Sequence, residues 1–233
     1  MFEKRISIFT GHFGSGKTEV AVNYAFKMNE IYNKVAILDF DIVNPFFRTT
    51  DVRKELECRG IRVITPMYAN TNVDVPSLPP EINMLFEDKE YKVVFDVGGD
   101  DIGAKVLSRY NESILQDDYE MYFVINIRRP MTLSEKGIEE MIRDIEGSSR
   151  LKVAKLVNNT NLLRDTTAEE VREGGRMIQK VSGKLGIPIG FISGLKPVME
   201  KLNMAKGIDR LYMEKYIKLP WELEVEKCKS WNT

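Results

Sequence analysis

The residue types and spacings that can do chemistry start at Gly11-His12-Phe13-Gly14-Ser15-Gly16-Lys17-Thr18, which reads G-x-x-x-x-G-K-T. This is the spacing of a phosphate-binding loop, in which glycines permit a tight turn and backbone N–H groups converge on an anion. Gly11, His12, Phe13, Gly14, Ser15, Gly16 and Glu19 then form the nucleotide-contacting stretch with Lys17 and Thr18. Lys17 supplies a point charge to the β- and γ-phosphates, and the Thr18 hydroxyl is a Mg²⁺ ligand.

Two further groups of acidic residues lie where such a loop needs them. Val35-Ala36-Ile37-Leu38 runs into Asp39-Phe40-Asp41, and Lys92-Val93-Val94-Phe95 runs into Asp96-Val97-Gly98-Gly99. Both read as apolar strands that end in carboxylates, and ligands of open α/β sheets bind at the carboxyl ends of the strands. The period of two turns Asp39 and Asp41 the same way, which suits a shared metal or water site. Asp96 is a Mg²⁺ group acting through water. Gly98 and Gly99 free the backbone, so that the N–H of Gly99 can approach a γ-phosphate. Asp100 and Asp101 are expected to cap the next helix. Arg128 and Arg129 follow the strand Tyr122–Ile127 and can bring positive charge to phosphate, or lie on the surface. Asn158 opens the polar run Asn158-Asn159-Thr160-Asn161, which is also a natural turn. That run has neither the lysine nor the aspartate with which N-K-x-D reads guanine, so ATP is expected over GTP.

The elements that position these residues alternate in type. Ile6–Thr10 is an apolar strand, and Val20, Ala21, Tyr24, Ala25 and Met28 give the following segment one apolar helical face. Further strands are expected at 61–64, 92–97, 122–127, 151–157 and 188–192, with Trp221, Leu223 and Val225 marking a short one in the tail. Helices are expected through about Glu57, through Tyr110, over 132–146 with Thr132 and Glu135 as a capping box, over 166–185 ended by Gly186, and over 196–204. Such alternation is that of a doubly wound, mostly parallel α/β sheet with helices on both faces, a three-layer P-loop NTPase fold. The 233 residues are read as a single domain. Residues 42–50 are a candidate switch loop, and 65–90, rich in turn formers with a brief helix at 81–86, a candidate recognition loop for a partner or substrate.

This combination resembles the MinD/ParA group of ATPases within the CobQ/CobB/MinD/ParA nucleotide-binding superfamily. The resemblance implies that Asp39 and Asp41 serve Mg²⁺ and the attacking water, Asp41 being the water-positioning residue and Lys17 the third catalytic one. It also implies that Asn158 contacts adenine. The group carries an extra lysine just after the first glycine, which reaches the partner subunit's nucleotide. His12 stands there instead, so a nucleotide-dependent homodimer is less strongly implied than fold and ligand, and Arg128 or Arg129 becomes a candidate for the missing charge.

With 34 basic against 35 acidic residues and a net charge of −1, no overall field favours nucleic acid or anionic lipid. Cys58 and Cys228 form no disulfide framework or zinc motif. No apolar run spans a membrane, the acidic tail is unlike a basic membrane-anchoring helix, and a cytoplasmic location is expected. The expected activity is Mg²⁺-dependent ATP hydrolysis that switches binding to a protein partner. Two alternatives are a small-molecule kinase or ligase of the dethiobiotin-synthetase/CobQ type and a nucleotide-gated binding protein with negligible turnover.

Overall fold

The computed structural model describes residues 1–41, 49–65, 80–99, 101–202 and 207–217. Most of the switch-loop stretch, residues 66–79 of the recognition loop, Asp100, the tail strand and Cys228 therefore lie outside the described residues.

In chain order the elements are β1 (Ile6–Thr10), α1 (Lys17–Asn29), β2 (Val35–Phe40), α2 (Arg53–Cys58), β3 (Arg62–Ile64), α3 (Glu81–Glu87), β4 (Lys92–Val97) and α4 (Asp101–Ser108). There follow α5 (Asn111–Leu115), β5 (Tyr119–Ile125), α6 (Glu135–Ser149), β6 (Lys155–Asn158), α7 (Ala168–Leu185), β7 (Ile189–Leu195), the single turn α8 (Lys196–Met199) and β8 (Asp209–Met213). The strands form one sheet in the order β3-β2-β4-β1-β5-β6-β7-β8, and every pairing is parallel.

Every residue of β1 and β2 is buried, as continuous apolar runs require in a sheet covered on both sides. Successive side chains divide between the two faces. Ile8, Phe95 and Phe123 pack with Leu107, Ile138, Ile142 and Ile178 of α4, α6 and α7. Phe9, Ile37, Val94 and Val124 pack with Val20, Ala21 and Tyr24 of α1 and Leu56 of α2. The three-layer α/β architecture expected from the alternation is therefore present. Among the described residues no helix is long and apolar enough to cross a membrane, and Cys58 is a free, exposed thiol.

Helix α1 differs from the expected amphipathic helix, because Val22 and Phe26 are buried as well as the predicted face. Residues 214–217, which follow β8, cover its other flank. The Asn23 side-chain amide donates to the Glu214 carbonyl (2.9 Å) and its oxygen accepts from the Glu214 N–H (2.8 Å). The Glu19 carboxylate accepts from the N–H groups of Tyr216 (2.6 Å) and Ile217 (3.2 Å). Phe26 and Tyr216 meet at 4.5 Å between ring centroids. The nucleotide-contacting role expected of Glu19 thus does not extend to its carboxylate, which grips this strap.

Other boundaries also moved. Ser134, not Thr132, caps α6, its hydroxyl accepting from the Gly137 N–H at 3.2 Å. The Thr132 hydroxyl instead donates to the Asn126 carbonyl at 2.6 Å. The sixth strand begins only at Lys155, and β8 is a strand that the sequence pattern does not mark.

Candidate functional site

The loop between β1 and α1 lies at the carboxyl edge of the central strands. Gly16 adopts φ +82°, a left-handed conformation suited to glycine, and no side chain caps α1. The first N–H groups of α1 are therefore available to an anion, which the helix dipole also favours. A Cβ at Gly16 would strike the Asn159 amide. That amide donates to the Ser15 carbonyl at 2.7 Å, and its oxygen accepts from the Ser193 hydroxyl at 2.9 Å. The loop is thus tied to the ends of β6 and β7.

Parallel pairing sets Asp39 directly beside Asp96. Asp39 Oδ1 accepts the Asp41 backbone N–H (3.1 Å), and Oδ2 accepts the Thr50 hydroxyl (2.9 Å). Thr49 donates to Asp96 Oδ2 at 3.0 Å. Lys17 Nζ forms an ion pair with Asp41. Lys17, Thr18, Asp39, Asp41 and Asp96 are all buried, so five polar groups expected from the sequence are gathered in one place.

Their charges are coupled. Burial would lower the Lys17 pKa, but the Asp96, Asp41 and Asp39 carboxylates prevail and hold it above its ordinary value. Burial pushes Asp96 well above the usual carboxylate range; Lys17 and the Thr18 hydroxyl oppose that shift, and Asp39 and Asp41 reinforce it. Asp96 Oδ1 is buried with no hydrogen-bond partner among the described residues. A hydrated cation meets this demand, because water can donate to Oδ1 while the ion offsets clustered carboxylate charge. Thr18, Asp39 and Asp96 fit Mg²⁺ in that sense. Among the described residues, however, no three His, Cys, Asp or Glu side chains form a ready-made metal cage. Mg²⁺ characteristically keeps several waters and uses substrate phosphates, and such a site needs no cage.

The remaining predicted residues separate. Phe13 is 59% exposed, and His12 Nδ1 lies 2.7 Å from the Phe13 carbonyl oxygen. Gly99 packs its backbone directly on Gly11 and His12, joining the two sequence motifs. Arg128 turns away from the loop to Glu173 (2.5 Å) and Glu170 (3.6 Å) of α7, whereas Arg129 Nε donates to the Gly14 carbonyl at 2.8 Å. Asn158 is a correction. Its side chain, 1% exposed, donates to the Val171 carbonyl and accepts from the Thr160 N–H, so it faces α7 rather than a base. The sequence assigns Thr49 and Thr50 only a place in the candidate switch loop, and Asn126, Asn159 and Ser193 no role in the site; Thr49 donates to Asp96, Asn126 to the Asn161 carbonyl and Asn159 to the Ser15 carbonyl, all distant in sequence. Only the density of polar side chains at strand ends marks them. A cavity of about 500 Å³ beside edge strand β3, bounded by Arg53, Glu57, Arg62, Thr65 and Glu81, shares no residue with the P-loop.

No protein-family model and no curated protein matches the chain. Solved structures do. FtsY from Thermotoga maritima is similar at TM-score 0.52 and 18% identity over 81% of this chain and 60% of that one. FtsY from Mycoplasma mycoides gives 0.51 and 16% over 81% and 59%. Signal recognition particle 54 kDa protein from Aeropyrum pernix, solved with GDP, gives 0.50 and 20% over 80% and 40%. The chain spans about three fifths of the FtsY chains and two fifths of the particle protein. What it shares with them at such identities is the parallel α/β fold of the P-loop NTPases.

Proposed function

We propose that this chain is a Mg²⁺-dependent P-loop nucleoside triphosphatase that binds ATP and uses hydrolysis to switch its binding to a protein partner, acting as a single nucleotide-binding domain. The observation that carries this reading is the convergence of Lys17, Thr18, Asp39, Asp41 and Asp96, with one Asp96 oxygen unpartnered among the described residues, on the uncapped start of α1.

The loop N–H groups and Lys17 hold the β- and γ-phosphates. Lys17 now pairs with Asp41, so a phosphate oxygen that takes over Lys17 releases the Asp41 carboxylate to orient and deprotonate a water. Thr18, Asp39 and Asp96 would hold Mg²⁺, Asp96 through water. Mg²⁺, when bound, neutralises phosphate charge that builds up during transfer. Adenine is favoured because residues 158–161 bring no carboxylate to the guanine edge. The GDP held by the Aeropyrum protein makes GTP the direct competitor to test.

A second reading, phosphoryl transfer to a small acceptor, draws on the cavity beside β3, which Thr65 and Glu81 border at either side of residues 66–79. Phosphate release from ATP without any added acceptor separates the two. In the hydrolase reading Asp41→Asn still binds Mg²⁺-ATP but turns over roughly a hundredfold to ten-thousandfold more slowly, the usual effect of losing a general base. Wild-type single-turnover rates in Asp41→Asn would remove the water-positioning role, and ADP formation only with an acceptor would favour the kinase.

A further inference from the structure

The geometry points to Arg129 as a positioning residue for the phosphate loop, acting through the Gly14 carbonyl. The inference rests on the phosphate-binding reading of that loop. Arg129 sits on a turn with little freedom. Its N–H donates to the Asn126 carbonyl (3.1 Å), and its carbonyl accepts from the Thr132 N–H (3.0 Å). The Thr132 hydroxyl closes on the same Asn126 carbonyl (2.6 Å), and the Asn126 side chain accepts the Arg128 N–H (3.0 Å). Asn126 and Thr132 are fully buried, and Pro130 fixes the next backbone dihedral.

From this base the side chain crosses to the loop. Nε donates to Gly14 O at 2.8 Å, and a Cβ placed on Gly14 would lie 3.2 Å from Nε and 3.5 Å from Cδ and Cζ. The guanidinium end therefore packs against the loop backbone. Ser15 N–H, the other end of the same peptide unit, donates to the His12 carbonyl at 2.9 Å. The Gly14–Ser15 peptide is thus pinned at both ends, which sets the direction of the neighbouring N–H groups before phosphate arrives. Arg128 cannot do this work, since Glu173 and Glu170 hold it on α7. Preorganised donors bind an anion without the cost of ordering the loop.

The test is calorimetric titration of ADP and of Mg²⁺-ATP into wild type, Arg129→Ala, Arg129→Lys and Lys17→Ala. Because the diphosphate already fills the loop, Arg129→Ala is expected to weaken ADP and ATP to the same extent, roughly tenfold, the worth of one charge-assisted hydrogen bond. Arg129→Lys, which keeps a cationic donor, is expected to recover most of this, while the melting temperature of the ligand-free protein stays put. Should the alanine variant not fold, Arg129→Gln against Arg129→Lys makes the same comparison. Unchanged ADP affinity in Arg129→Ala, with Lys17→Ala having lost it, overturns the inference and leaves the phosphate reading standing. Loss confined to ATP overturns the route through Gly14, since it marks a direct γ-phosphate contact. Unchanged affinity in Lys17→Ala removes the phosphate reading itself.

Discussion

Replacing Gly99 by alanine tests whether the end of β4 sets the position of the phosphate loop. A Cβ on Gly99 would stand 2.6 Å from the Gly11 carbonyl carbon and 3.0 Å from His12 Cα, and closer still to the Gly11 oxygen. Ordinary carbon contacts need about 3.5 Å or more, so the two backbones must separate by about 1 Å. Neither has a flexible side chain that can yield. Overpacking of this kind costs about 1–3 kcal/mol, or a fall of roughly 2–12 °C in melting temperature at this chain length. A displacement near 1 Å at a ligand-holding loop can cost about a hundredfold in function, or about 2.7 kcal/mol, so nucleotide affinity is expected to fall by as much free energy as stability does. Gly147 in α6 is the control, because nothing lies within 4 Å of a Cβ there. Gly147→Ala is expected to stabilise by about 0.5–1 kcal/mol and leave binding alone. Calorimetric affinity for Mg²⁺-ATP and scanning calorimetry supply both readouts. Wild-type affinity and melting temperature in Gly99→Ala would refute the claim that this contact sets the loop.

Three other outcomes follow from the same geometry. Burial alone would raise the Asp117 pKa, but hydrogen bonds from Arg5, Lys89 and the Asp118 N–H hold it below the usual carboxylate range. A depressed carboxylate contributes stability that is present above its unfolded value of about 3.9 and is lost as pH falls towards its folded one. Asp117→Asn, which leaves Arg5, among the described residues, with only the Leu85 and Tyr91 carbonyls, should cost about 1–3 kcal/mol near neutrality and flatten the stability profile below pH 4; an unchanged acid slope in denaturant titrations would count against it. Asn159→Ala, at a site 1% exposed, should cost about 1–3 kcal/mol because the Ser15 carbonyl loses this donor and the Ser193 hydroxyl keeps its longer bond to the Asn158 carbonyl, as urea unfolding would show. ATP should bind more tightly than GTP, and equal or reversed calorimetric affinities would contradict the reading of residues 158–161.

The loop, the strands that end in Asp39 and Asp96, and the α/β alternation were legible because each depends on spacing within one short segment. What failed depends on phase or on distant partners. Asn158 and Asn159 are neighbours at a strand end, so their side chains take opposite faces, one to α7 and the other to the P-loop. A register shift between β6 and β7 at Leu156 and Val157 further hides which face is which. Thr132 matched the capping pattern, yet the turn after β5 takes its hydroxyl and leaves the cap to Ser134. Strand β8 carries little apolar pattern because only Leu211 of its five residues is buried, as an edge strand allows. The all-round burial of α1 depends on residues nearly two hundred positions later, which periodicity cannot show.

The central claim is that Lys17, on the loop before α1, holds the phosphates of a Mg²⁺-bound nucleoside triphosphate. Isothermal titration of Mg²⁺-ATP into wild type and Lys17→Ala, with circular dichroism confirming that both are folded, tests this most directly. The account predicts saturable one-to-one binding to wild type and none measurable to the variant. Absence of binding to the folded wild type, or equal affinity in Lys17→Ala, would contradict it.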